Sequence, residues 1–122
     1  MQLSELLDSR LILKEAMPSK EQAIDAMVEL LSRQNKLRNP GRFSQALQQR
    51  EAEFAAEIAP DIAIPHLFSN EVKEAAIAAA HTVDGRAVFL LISRNGEEHL
   101  QQLSSLAEAL LEEPASNIFE KK

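Results

Sequence analysis

The chain reads as a single α/β domain, a mixed β-sheet flanked by α-helices. Amphipathic segments with recognisable start signals alternate with short apolar runs of strand length, the pattern of helices packed on a sheet. At 122 residues there is enough chain for one core and too little for two. The 45% of residues that are hydrophobic, chiefly Ala, Leu and Ile, suffice to fill it.

In order along the chain, Leu3 to Leu7 reads as a short opening helix and Leu11-Ile12-Leu13 as an edge strand. In SKEQAIDAMVELLSRQ, Ser19 is a helix cap and Gln22 stands three residues on, as in a capping box. Ile24, Met27, Val28 and Leu31 recur at helical spacing and mark the buried face, while Arg33 and Lys36 lie near the end, where cations suit the helix dipole. Asn39 caps a second helix with Pro40 at its first position. Phe43, Ala46, Leu47 and Arg50 share one face of it.

Residues 54 to 61, FAAEIAPD, read as a loop, with Pro60 stopping any helix before a strand at Ile62–Ile64. EAAIAAAHT reads two ways. Its alanine content suits a helix, while its brevity and the following Asp84-Gly85 turn suit a strand pairing with the next run. That run, Ala87 to Ile92, is continuously apolar and reads as an inner strand. Asn95 and Glu98 then open a helix whose stripe is Leu100, Leu103, Leu106, Ala107 and Leu110. Pro114 ends it, and ASNIFEKK reads as a poorly anchored tail. No internal repeat or low-complexity tract interrupts the chain.

Composition excludes several classes. A net charge of −6 repels phosphate backbones, and the absence of Trp and Tyr removes the usual stacking platforms, so no nucleic acid is expected as a partner. Without cysteine there is no disulfide, thiolate chemistry or Cys-based metal site. Three glycines form neither a phosphate-binding loop nor a dinucleotide fingerprint, so no cofactor is expected. The first residues carry no signal-peptide pattern, and no apolar stretch approaches the ~20 residues that span a bilayer. The expectation is a soluble, cytoplasmic protein without membrane insertion.

The reactive side chains are three histidines, His66, His81 and His99. Their spacing matches no zinc motif, and no serine-nucleophile elbow is present. His66 stands out by its mounting in DIAIPHLFSN. Pro65 fixes its own φ and biases Ile64 towards extended geometry, so the imidazole leaves a strand end at a defined place. His99 falls in the first turn of a helix, where anions are favoured. Arg50 closes the helix that feeds the segment leading to His66. Each has a plainer reading: an exposed loop imidazole, an idle helix-start histidine, an arginine paired with Glu53 or Glu57. Composition and spacing stop at an α/β domain with a candidate anion site.

QALQQREAEF, IAIPH and RNGEEHLQQLSSLAEALLEE, in that order, resemble the landmarks of the fructose–mannitol type of enzyme IIA domain. These domains belong to the bacterial phosphoenolpyruvate-dependent sugar phosphotransferase system (PTS). The resemblance runs from the N-terminus to about Glu113. It implies one EIIA-like domain over residues 1–122, shortened and without the usual last helix. It also implies a phosphocarrier: His66 as phosphoacceptor, with His99 and Arg50 stabilising the phosphoryl group, and no metal or cofactor. The phosphoryl group would come from the carrier protein HPr and pass to an EIIB domain, coupled to sugar uptake. The alternative is a regulatory or degenerate EIIA-like module that acts by protein–protein binding. The segment 54–61 has no glycine, and its carboxylates at Glu57 and Asp61 work against a nearby anion.

Overall fold

The computed structural model describes residues 2–53, 57–59 and 61–119; Phe54, Ala55, Ala56 and Pro60 of the expected loop lie outside the described residues. A strand of seven buried residues, β5 (Ala87–Ser93), is the axis of the molecule. On one side it pairs in parallel with β2 (Ile62–Ala63) and β3 (His66–Phe68), and on the other antiparallel with β4 (Ala76–His81). A short strand, β1 (Glu57–Ala59), folds back antiparallel on β2. The sheet is therefore mixed, as expected, but part of the expected 54–61 loop is strand.

Both faces of β5 are covered, which explains its unbroken apolar run. Val88, Leu90 and Ile92 face a core shared with α2 (Lys20–Arg33) and α3 (Pro40–Glu53). Ala87, Phe89 and Leu91 face a second core built with α1 (Leu3–Leu6) and α4 (Gly96–Glu112). The period-2 alternation of a strand thus divides one apolar run between two helical layers.

Local signals account for the helices. Ser19 Oγ accepts from Gln22 N, and Ile24, Met27, Val28 and Leu31 are buried as expected, joined by Ala23. Asn35, in the left-handed region at φ 61°, closes the C-terminal end of α2. Asn39 Oδ1 accepts from Arg42 N at the start of α3. On α3 Phe43 and Leu47 are buried, whereas Ala46 is exposed. In α4 the buried stripe lies at Leu106 and Ala109, with Leu103 and Leu110 partly covered. Leu100, 66% exposed, falls off that stripe.

The ambiguous EAAIAAAHT is a strand. Its pairing with β5 through the turn at Asp84-Gly85, where Gly85 takes φ +90°, outweighs its alanine content. Leu11-Ile12-Leu13 contributes less than a strand. Residues Ser9–Leu11 form a short 3-10 turn, and Ile12 makes one isolated parallel bridge to Ala79. The tail is anchored, against expectation. Ala115–Phe119 forms a second 3-10 turn whose Ile118 and Phe119 are buried in the α1–α4 core. Lys14 Nζ donates to Ile118 O at 2.5 Å and Leu3 N to Glu113 Oε1 at 2.6 Å. Two apolar residues in a polar tail are enough to dock it.

Candidate functional site

Pro65 is a joint in a strand rather than its end. Ile62 and Ala63 pair with Ala87 and Val88, and His66, Leu67 and Phe68 pair with Leu91, Ile92 and Ser93. The offset is 25 residues on both sides of the proline (87 − 62 and 91 − 66), so register is kept across it. Pro65 O accepts from Leu91 N at 3.0 Å, and the missing proline N–H leaves only a local gap. His66 consequently stands midway along the sheet edge, where its backbone is held on a buried strand.

Its ring is held at both nitrogens. Nδ1 donates to Ile64 O at 2.9 Å, and Nε2 lies 3.2 Å from Arg50 Nη2. A carbonyl only accepts and a guanidinium only donates, so the partners assign the tautomer: the proton is on Nδ1 and the lone pair on Nε2. Ile64, kept extended by the following proline, presents the carbonyl that makes this assignment.

His99 stacks on His66, with ring centroids 4.5 Å apart and planes at 19°. It is carried on the first turn of α4, where Asn95 Oδ1 accepts from Glu98 N. Glu98 does not close the box on Asn95. Its carboxylate accepts from Arg94 N, Nε and Nη2, and Arg94 holds its carboxyl below the usual range. That pairing neutralises the acid adjacent to His99. Burial first, then the neighbouring His66 and Arg50, push His99 below the usual imidazole value. Its Nδ1 is buried without a hydrogen-bond partner among the described residues.

The structure thus brings together all three residues singled out in the sequence: His66 on β3, Arg50 on α3 and His99 on α4. The carboxylates of Glu53 and Glu57 lie outside the described residues. Asp61 is exposed at the far end of β2, five residues before His66, or roughly 16 Å of extended chain. At that separation its charge is screened, contrary to the expectation that it opposes an anion at His66. His81 belongs elsewhere: its ring stacks on Phe119 at 4.4 Å and Nε2 donates to Lys14 O, tying down the tail.

Two features escape sequence reading. Gln102, one turn after His99, donates from Nε2 to Ala76 O and Ile92 O and clips α4 onto the β4–β5 ladder. Phe68, 52% exposed, lies beside His99 at 6.1 Å between rings. A glutamine in a helix and a phenylalanine in a short apolar run carry no local mark of these placements.

Fold and site together define an α/β protein in which two stacked imidazoles and a guanidinium share one open rim of the sheet. Residues 5–121 match the family model "Phosphoenolpyruvate-dependent sugar phosphotransferase system, EIIA 2", and the chain belongs to that family. It is 32% identical to the fructose-specific EIIABC component of Bacillus subtilis over 93% of its length, spanning about a fifth (20%) of that protein. It is 27% identical to the fructose-specific EIIA component of Haloferax volcanii, over 83% of this chain and 74% of that one. Among solved structures it is similar to the nitrogen regulatory protein IIA-Ntr from Neisseria meningitidis. There the TM-score is 0.72 and the identity 25%, covering 98% of this chain and 92% of the other. Among the described residues no helix is long and apolar enough to cross a membrane.

Proposed function

We propose that this EIIA domain is a cytoplasmic phosphohistidine carrier, receiving a phosphoryl group from phospho-HPr on His66 and passing it to an EIIB domain. The observation that carries the proposal is the continuous chain Ile64 O, His66 Nδ1–H, His66 Nε2, Arg50 Nη2. It leaves a neutral, oriented nitrogen lone pair at an open surface.

In the forward step Nε2 attacks the phosphorus of the donor phosphohistidine. A new P–N bond forms as the old one breaks, and the electron pair of the old bond returns to the donor imidazole. The proton stays on Nδ1 throughout, donated to the Ile64 carbonyl. Arg50 gives up the lone pair and turns its N–H groups to the equatorial phosphoryl oxygens, where charge accumulates. His99 is the second donor to that group, through a ring N–H. Return transfer to EIIB reverses these movements.

Incubation with phosphoenolpyruvate, enzyme I and HPr is expected to add the mass of one phosphoryl group, labile to acid. No addition, or an addition that persists in His66→Ala, would sink the proposal. The resemblance to the nitrogen regulatory protein favours a second reading, a regulatory module acting by protein contact. Recovery of a regulator but no EIIB on an affinity column carrying this chain supports that reading instead.

A further inference from the structure

Glu51 follows Arg50 on α3 and is turned about 100° around the helix from it. While Arg50 reaches out to His66, Glu51 Oε1 lies 3.0 Å from Lys20 Nζ on α2, with both side chains only about 15% exposed (15% and 14%). The contact is electrostatic rather than a well-aligned hydrogen bond. Each charge is on the wrong end of its own helix. Lys20 is the first residue of α2, where the dipole disfavours a cation, and Glu51 lies in the last turn of α3, where it disfavours an anion. Local helix chemistry would choose the opposite pair. The contact between the helices sets these two opposite charges against each other.

α2 is itself fixed, its Ile24, Met27 and Val28 being buried in the core beneath the sheet. An ion pair to its first residue therefore ties the last turn of α3, which carries Arg50, to an immobile support. We propose that Lys20 and Glu51 are positioning residues that hold Arg50 against His66 Nε2. This rests on the reading of Arg50 as the group that receives the phosphoryl oxygens.

The test uses the full chain with Lys20→Met, Glu51→Gln and the exchanged pair Lys20→Glu with Glu51→Lys. Two quantities are read: the rate of phosphoryl acceptance from phospho-HPr, and the 15N resonance of His66 Nε2 in the unphosphorylated protein. Each single variant is expected to accept about tenfold more slowly or worse, because a small misplacement of a catalytic group is costly. Its Nε2 resonance should move towards that of Arg50→Ala. The exchanged pair restores both readouts to within about threefold of wild type, and it melts higher because its charges now suit both helix ends. Single variants at the wild-type rate with an unmoved resonance, or an exchanged pair as slow as the singles, would overturn the proposal. Should Glu51→Gln not fold, Glu51→Asp, which keeps the charge on a shorter arm, is read in both assays against the same outcomes. If wild type accepts no phosphoryl group, the carrier function fails, and the nitrogen resonance alone decides the role of the pair.

Discussion

The proposed phosphoryl acceptance places opposite demands on the two nitrogens of His66: one must hold a proton and the other a free electron pair. Ile64 O and Arg50 Nη2 meet both, and they suggest different outcomes on mutation. Arg50→Ala should slow acceptance by about 10²-fold, since it removes one preorganised donor to the transferring group. Arg50 is exposed, so the melting temperature should move little, as thermal unfolding followed by circular dichroism will report. His99 carries a pH signature. Its folded pKa lies below the usual 6.5, so the unfolded chain binds more protons in the interval between the two values. Stability contributed by neutral His99 is complete above pH 6.5 and is lost as pH falls through the folded pKa. Denaturant titrations from pH 7.5 downward should show this slope in wild type and a flatter one in His99→Gln. A phosphoryl dianion on His66 places negative charge beside His99, so the His99 imidazole should titrate higher in the phosphorylated protein, as followed by NMR.

At the scale of elements, what was legible depended on whether the signal was local. Ser19, Asn39 and Asn95 mark helix starts by their own side chains, and all three cap as read. The mounts of Arg50, His66 and His99 were open to reading in the same way, because a helix end, a proline and a cap mark them. Strand β1 was not legible, because FAAEIAPD has no alternation and its pairing with β2 is set by the hairpin. Nor was the choice between helix and strand for EAAIAAAHT, which only β5 could settle. Gln102 and the Lys20–Glu51 pair were hidden for a related reason: their partners are distant in sequence and known only once the helices are docked. Replacing Asn95 with alanine removes the cap beneath His99 and should cost about 1 kcal/mol of stability by chemical denaturation.

For the molecule as a whole, one strand serves two cores, and the rim where β3, α3 and α4 meet carries the site. The fold class was readable because amphipathic helical stripes alternate with short apolar runs of strand length. The docked tail was not, since Ile118 and Phe119 stand among polar residues and reveal themselves only by burial. Phe119→Ala should destabilise the protein by about 3–5 kcal/mol, as for other buried aromatics. It should leave the rate of phosphoryl acceptance unchanged below the transition temperature, because Phe119 stacks on His81 and not on the pair at the rim. The central claim is that His66 accepts the phosphoryl group, and does so through Nε2. Long-range proton–nitrogen correlation on the protein phosphorylated through HPr, with phosphorus coupling resolved, tests it most directly. Coupling to Nε2 of His66 with the proton retained on Nδ1 is the result expected. A phosphoryl group on Nδ1, on His81 or His99, or on no histidine at all would contradict it.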